Sequence, residues 1–276
     1  MVNIYYQNAR GLRTKTVQFK RNIQLHSYDV VIITETWLLD GINNEELFSD
    51  KYAVWRRDRD YSSVGQERGG GVLIATRYDL VTHARPEWHS TAEDIWVSID
   101  IGAKGKSPIS LHIGCLYLCQ QNLGLSFNTQ LINFSERVFF IAGDFNLSNI
   151  SWSSANGSNY LTPLVDSANS NHTELLDLIN LCGLRQFNNV KNNMDRLLDL
   201  VISNEDVSVS HCKEPLVRED PYHPALICKL NFINLPALKL IIPHYVPILI
   251  VKIGKPCYPV GRWMMQLRFS TISCLP

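Results

Sequence analysis

Apolar residues in this chain come in short blocks separated by longer polar stretches. Residues 30–33 (VVII) and 138–142 (VFFIA) are apolar at every position, the pattern of a strand covered on both faces. Residues 2–7 (VNIYYQ), 72–76 (VLIAT), 94–101, 109–118, 197–203 and 227–232 predict further strands. Residues 52–60 (YAVWRRDRD) read as a strand running into a charged loop. A helix is expected over 14–27, with Val17, Ile23 and Leu25 as its core contacts and Lys15, Lys20 and Arg21 outside. Two more are expected over 127–138 and 174–183, the second stopped by Gly183. Gly143 is expected to break the strand before it, and the polar residues 153–171 to form a long loop. Gly69, Gly70 and Gly71 precede a strand; with no Lys-Ser/Thr pair after them they suit close packing or a bulge rather than a phosphate loop.

Composition sets the bounds. With 276 residues, 45% hydrophobic and 19% charged, the chain has material for an ample core in one large domain or two small ones. No uninterrupted apolar run reaches the roughly 18 residues of a membrane span, and the first residues lack a signal-peptide pattern. Seven cysteines without a CxxC pair argue against a disulfide framework and structural zinc, and for a reducing compartment. Formal net charge is zero, but no acid follows Asp220, while six of the 26 bases do: Lys229, Lys239, Lys252, Lys255, Arg262 and Arg268. Residues 1–220 therefore hold 20 bases against 26 acids. That counts mildly against sequence-blind nucleic-acid binding, unless the acids gather a metal in a cleft. Residues 233–276, apolar, basic and broken by prolines, are expected to pack poorly.

Candidate chemistry lies at the strand ends. Asp144 and Asn146, two apart after VFFIA, are expected to share a face. A carboxylate beside a carboxamide suits a hydrated divalent cation and a nucleophilic water, although Gly, Asp and Asn equally suit an Asx turn. Glu35 follows four β-branched residues and needs a partner if buried. Asp199 interrupts an apolar run, and His223 precedes the last strand.

Gly-Asp-Phe-Asn at 143–146 resembles the signature of the endonuclease/exonuclease/phosphatase family. The following Leu-Ser-Asn-Ile-Ser-Trp is similar to the endonuclease domains of non-LTR retrotransposons. Asn8, Glu35 in Glu-Thr-Trp-Leu, Tyr117, Asp144, Asn146, Asp199 and His223 before Pro-Ala-Leu follow the family's order. There are two departures: Leu118-Cys119-Gln120-Gln121 stands where prolines are usual, and Pro221-Tyr222 separates Asp220 from His223.

The resemblance covers residues 2–232 and implies one domain over 1–232, a four-layer α/β sandwich of two mixed β-sheets packed face to face with helices outside. It implies an intracellular, nuclear, Mg²⁺- or Mn²⁺-dependent phosphodiesterase that nicks DNA. Glu35 and Asp220 would bind the metal. Asp144 and Asn146 would position the attacking water, and Asn8 and Tyr117 the phosphate. His223, oriented by Asp199, would be base or charge stabiliser; whether it or Asp144 takes the proton stays open. Arg10, Arg56, Arg57 and Arg68, with Arg59 nearby, would meet the DNA backbone. A full element would add a reverse transcriptase, whose Tyr-x-Asp-Asp motif this sequence lacks. Two rivals fit the same residues: another phosphoric-ester hydrolase of this fold, and a decayed remnant acting as a binding module.

Overall fold

The strands sort into two sheets, and their burial shows where each lies. The computed structural model describes residues 1–101, 109–118, 137–154, 157–164, 175–177, 179–180 and 182–231. Among these, one sheet runs β13 (Val207–His211), β14 (Leu226–Leu230), β1 (Val2–Asn8), β2 (Val30–Thr34), β4 (Val72–Arg77), β3 (Tyr52–Arg57). The other runs β5 (Thr82–Ala84), β6 (Glu93–Ile101), β7 (Ile109–Tyr117), β8 (Val138–Asp144), β12 (Asp199–Ser203), β11 (Arg185–Gln186), β10 (Leu161–Leu164), β9 (Ser151–Ser154). Both sheets are mixed: β1–β2 and β7–β8 are parallel, and the other pairs antiparallel. The continuous apolar runs are the central strands: β2 and β8 are buried at every position.

The main core lies between the sheets. Ile4 and Tyr6 of β1 and Val30 and Ile32 of β2 meet Ile113 and Cys115 of β7, Phe140 and Ala142 of β8 and Val201 of β12. Helix α1 (Thr16–Leu25) covers the outer face of the first sheet through Phe19 and Ile23. Helical residues around Leu175 and Ile179 cover the outer face of the second. The result is an α/β sandwich of four layers.

Several expectations need correction. On α1, Val17 and Leu25 are 81% and 73% exposed. The buried stripe is Phe19 and Ile23, an i,i+4 pair that fixes which face turns inward. Gly143 does not break β8, which runs on to Asp144. A Cβ there would collide with the Leu116 carbonyl oxygen of β7, so the glycine lets two backbones close up. The polar stretch 153–171 is not all loop: β9 and β10 pair from Ser154–Leu161 to Ser151–Leu164, at the edge of the sheet where half-exposed, polar strands are tolerated.

The helix expected over 174–183 is seen at 175–177 and 179–180, and Gly183 stops it at φ 61°. Of the helix expected over 127–138, residues 127–136 lie outside the described residues and Val138 begins β8. The unit holding these elements spans Met1–Asn234, and the expected tail 233–276 lies outside the described residues. No helix among the described residues is long and apolar enough to cross a membrane.

Candidate active site

Strand register brings the polar residues together. Tyr117 of β7 pairs with Asp144 of β8, and Asp144 with Asp199 of β12. Partners across a ladder share a face, so the second sheet presents a phenol and two carboxylates in one row. Two positions along each strand, Cys115, Ala142 and Val201 belong to the core between the sheets, so the row faces the first sheet. There Asn8 of β1 pairs with Thr34 of β2, whose chain continues into Glu35.

The contacts across the gap are direct. Asn8 Nδ2 donates to Asp144 Oδ2 at 2.9 Å, while Asn8 Oδ1 accepts from the Arg10 amide, which fixes the carboxamide's orientation. His223 Nδ1 lies 2.9 Å from Asp199 Oδ2, and its Nε2 lies 3.8 Å from Asp144 Oδ2. Tyr6 donates to the other oxygen of Asp199 at 2.5 Å, and Asn188 Nδ2 holds the Asp199 carbonyl at 2.7 Å. His223 is itself placed by the turn that starts at Asp220, whose carbonyl accepts its amide at 3.0 Å.

The turns after β2 and β8 are strained. Glu35 and Asn146 both adopt φ 51°, a region that side chains other than glycine rarely occupy. Glu35 Oε2 accepts from Trp37 Nε1 at 2.8 Å, and the Tyr117 phenol lies near the Glu35 carboxylate. The Asn146 amide donates to Asp144 Oδ1, an Asx turn, and its Nδ2 donates to the Leu118 carbonyl at 2.7 Å. Of the two alternatives at 144–146, the Asx turn is the one that forms: β8 ends at Asp144, and Asn146 leaves the extended alternation that would have put both side chains on one strand face.

Two glycines pack the approach to Glu35. Gly70 and Gly71 accept from the Trp37 and Thr36 amides, and a Cβ on either would strike Arg59 and Glu93, or Thr36. Arg59 pairs with Glu93 at 2.5 Å and lies 5.6 Å from the Tyr117 ring centre.

The remaining expected residues are more dispersed. Arg10, exposed and at φ 42°, pairs with Asp220 at 2.9 Å. Arg56 donates to the Ile42 and Leu39 carbonyls and pairs with Asp58. Arg57 binds buried Asp94 at 2.8 Å and the Ala92 carbonyl. Arg68 is exposed between α2 (Tyr61–Val64) and the glycine run.

Charge in the site is unbalanced. Asp144 is pushed well above the ordinary carboxylate range, first by burial, then by Asp199 and Glu35, against the pull of His223. Burial pulls His223 down, but Asp199, Asp144 and Asp220 outweigh it and raise it to about 9, so the imidazole is cationic at neutral pH. Burial, with Glu35 and Asp144, raises the Tyr117 phenol, which stays protonated and donates.

Asp144 and Asp199 thus share one imidazolium, with Glu35 near enough to raise Asp144 further, and hard oxygen donors so grouped fit a small divalent cation. Among the described residues, Asp144, Asp199 and His223 are the acidic and His side chains close enough to share an ion, their donor atoms within 4.8 Å. Within that trio the Asp199–His223 hydrogen bond makes a dyad. Glu35 and Asp220 are outside the trio and accept from Trp37 and Arg10 respectively.

The sequence profile of the endonuclease/exonuclease/phosphatase family matches residues 2–221. The chain belongs to that family. Its members hydrolyse phosphodiester bonds. The fold is similar to the endonuclease domain of TRAS1, a telomere-specific non-LTR retrotransposon, with 12% identity and TM-score 0.54, covering 85% of this chain and 100% of that one. An AP endonuclease from Archaeoglobus fulgidus gives 12% identity and TM-score 0.52, over 84% of this chain and 100% of its own. A 3'-5' exonuclease from Neisseria meningitidis gives the same values. At such identities these structures speak for the fold alone. No curated protein matches the sequence.

Three residues around this array escaped sequence reading: Tyr6 and Thr34, whose side-chain oxygens lie 3.1 Å apart, and Asn188, which donates to the Asp199 carbonyl. The available signal was alternation, since Tyr6 sits two positions before Asn8 and faces the same way.

Proposed function

We infer that this family member is a divalent-metal-dependent endonuclease that nicks DNA in the nucleus, of the kind carried by non-LTR retrotransposons beside a reverse transcriptase. What carries the reading is the array Asn8–Asp144–His223–Asp199, built from both sheets: hydrogen bonds join Asn8 to Asp144 and His223 to Asp199, and His223 Nε2 lies 3.8 Å from Asp144. Support against the decayed-remnant reading comes from cost: buried like charges lower stability, which a binding module has no need to do.

Glu35 would hold Mg²⁺ or Mn²⁺, together with Asp220 once Arg10 releases that carboxylate. When bound, the ion neutralises phosphate charge and lowers the pKa of coordinated water. Asp144, made more basic by its surroundings, takes the proton of the attacking water. Its two oxygens are held by Asn8 and by the Asn146 amide, so the carboxylate is oriented before substrate arrives. His223, cationic and held by Asp199, offsets charge building on the phosphate. Asn8 Nδ2 has a second proton for a phosphate oxygen, and Tyr117 offers its phenol to the same group. Arg10 and Arg68 are exposed and reach the DNA backbone; Arg56 and Arg57 act more weakly there, since both serve the fold.

The test is conversion of supercoiled plasmid to nicked circles with Mg²⁺, with EDTA, and alongside inositol phosphates, sphingomyelin and poly(A). Mg²⁺-dependent nicking that EDTA abolishes is expected. Hydrolysis of the small esters or poly(A) without nicking would assign the site to another branch of the family.

A further inference from the structure

Asp199 is held by more than His223. Its second oxygen, Oδ1, accepts from the Tyr6 hydroxyl at 2.5 Å, although the two residues are 193 positions apart and belong to different sheets. Tyr6 is wholly buried, and Asp199 is 3% exposed. A phenol has one proton. With that proton directed at the carboxylate, the 3.1 Å contact with Thr34 Oγ1 requires Thr34 to donate to the Tyr6 oxygen. The phenol cannot itself ionise here: burial, then Asp199 and Asp144, hold it far above its ordinary value. A chain of donors therefore runs Thr34 to Tyr6 to Asp199, and meets the imidazole at Asp199 Oδ2.

We propose that Tyr6 is a positioning residue for the reaction: through Asp199 it sets the direction and acceptor strength of the carboxylate that holds His223. A carboxylate with only one charged partner can rotate about its χ2 axis. A second donor on the other oxygen fixes its plane and spreads its charge. The same strand face supplies Asn8 to Asp144, so β1 orients both carboxylates from across the gap. The proposal rests on the endonuclease reading for its kinetic test but not for its spectroscopic one.

On plasmid nicking, Tyr6→Phe is expected to lower kcat about 10- to 100-fold with KM little changed, the weight of one hydrogen bond to a charged group. In a His223→Ala background the same change is expected to lower kcat no further, because Tyr6 acts through that imidazole. Thr34→Val, one bond further out, should give a smaller loss on the same pattern. Undiminished kcat in folded Tyr6→Phe, or an equal loss with and without His223, overturns the proposal. Should the wild type nick nothing, the endonuclease reading fails alone, and Tyr6 is judged by NMR without substrate. There Tyr6→Phe must shift the His223 Nδ1 proton resonance while methyl resonances of the core stay in place. An unmoved Nδ1 resonance sinks it, and Thr34→Val gives the same reading if Tyr6→Phe does not fold.

Discussion

Asp144 and Asp199 stand directly opposite each other on adjacent antiparallel strands, each almost wholly buried. Like charges so placed repel, and desolvation adds to the cost. His223 touches both, at 2.9 Å from Asp199 and 3.8 Å from Asp144, and one imidazolium cannot neutralise two carboxylates and Glu35 besides. The site is built under electrostatic strain, and the following outcomes are expected from it.

Asp144→Asn should abolish nicking, by at least ~10²-fold, yet leave the melting temperature unchanged or raised. The folded protein binds the Asp144 proton more tightly than the unfolded chain, so its ionisation costs stability as pH rises above the ordinary carboxylate value. Denaturation of both proteins between pH 4 and 7 checks this. The wild type should lose more stability across that range than the variant.

Mg²⁺ should raise the melting temperature of the wild type, since an ion that binds only the folded form stabilises it by mass action. Glu35→Ala should lose that rise along with activity, and EDTA should return the wild type to its metal-free value. Calorimetric titration of both proteins provides a second reading. Mg²⁺ affinity unaffected by Glu35→Ala removes Glu35 from the metal site.

Asp199 and His223 should behave as a unit. His223→Ala and Asp199→Ala are each expected to lower kcat/KM by about 10²–10⁴-fold, and the double variant by hardly more. Losses that multiply would make Asp199 an ordinary structural acid.

The pH profile should carry the same signature. His223 is raised to about 9, so its cation persists below that pH and disappears above it. Activity that depends on the cation falls as pH rises through about 9. Asp199→Asn removes the strongest of the carboxylates that oppose burial, and the alkaline limb should move to lower pH. Stability follows the same sign: the dyad's contribution, ~3 kcal/mol at most, is complete below the unfolded imidazole's pKa and lost as pH passes about 9.

Gly143→Ala should destabilise the fold by ~1–3 kcal/mol or more, because the new Cβ meets a backbone carbonyl rather than a yielding side chain. It should also lower activity, since pushing β7 from β8 parts Tyr117 from Asp144. Urea unfolding and the nicking assay together read both effects.

The sequence made the central strands and the order of the polar residues legible, because blocks such as VVII and VFFIA and the motif around Asp144 are local signals. It could not supply register across a sheet, and so it hid the opposition of Asp144 and Asp199 and the reach of Tyr6. Gly143 resembled a breaker because the nearness of Leu116 is a tertiary fact. Val17 and Leu25 passed for core because one apolar stripe on a short helix can be drawn more than one way until a sheet chooses Phe19 and Ile23. Arg56 and Arg57 look like free cations in sequence, and only the fold shows the carbonyls and acids around them.

β1 pairs with β14, from Val2 opposite Leu230 to Tyr6 opposite Leu226. The first strand of the unit must therefore wait for almost its last described residues before its sheet is complete. His223 arrives just ahead of that final strand, so a growing chain holds no working site until nearly all of the unit has been made. Under the endonuclease reading, a chain that stops short of His223 lacks the imidazole of the array, and cutting waits for the sheet that β14 closes.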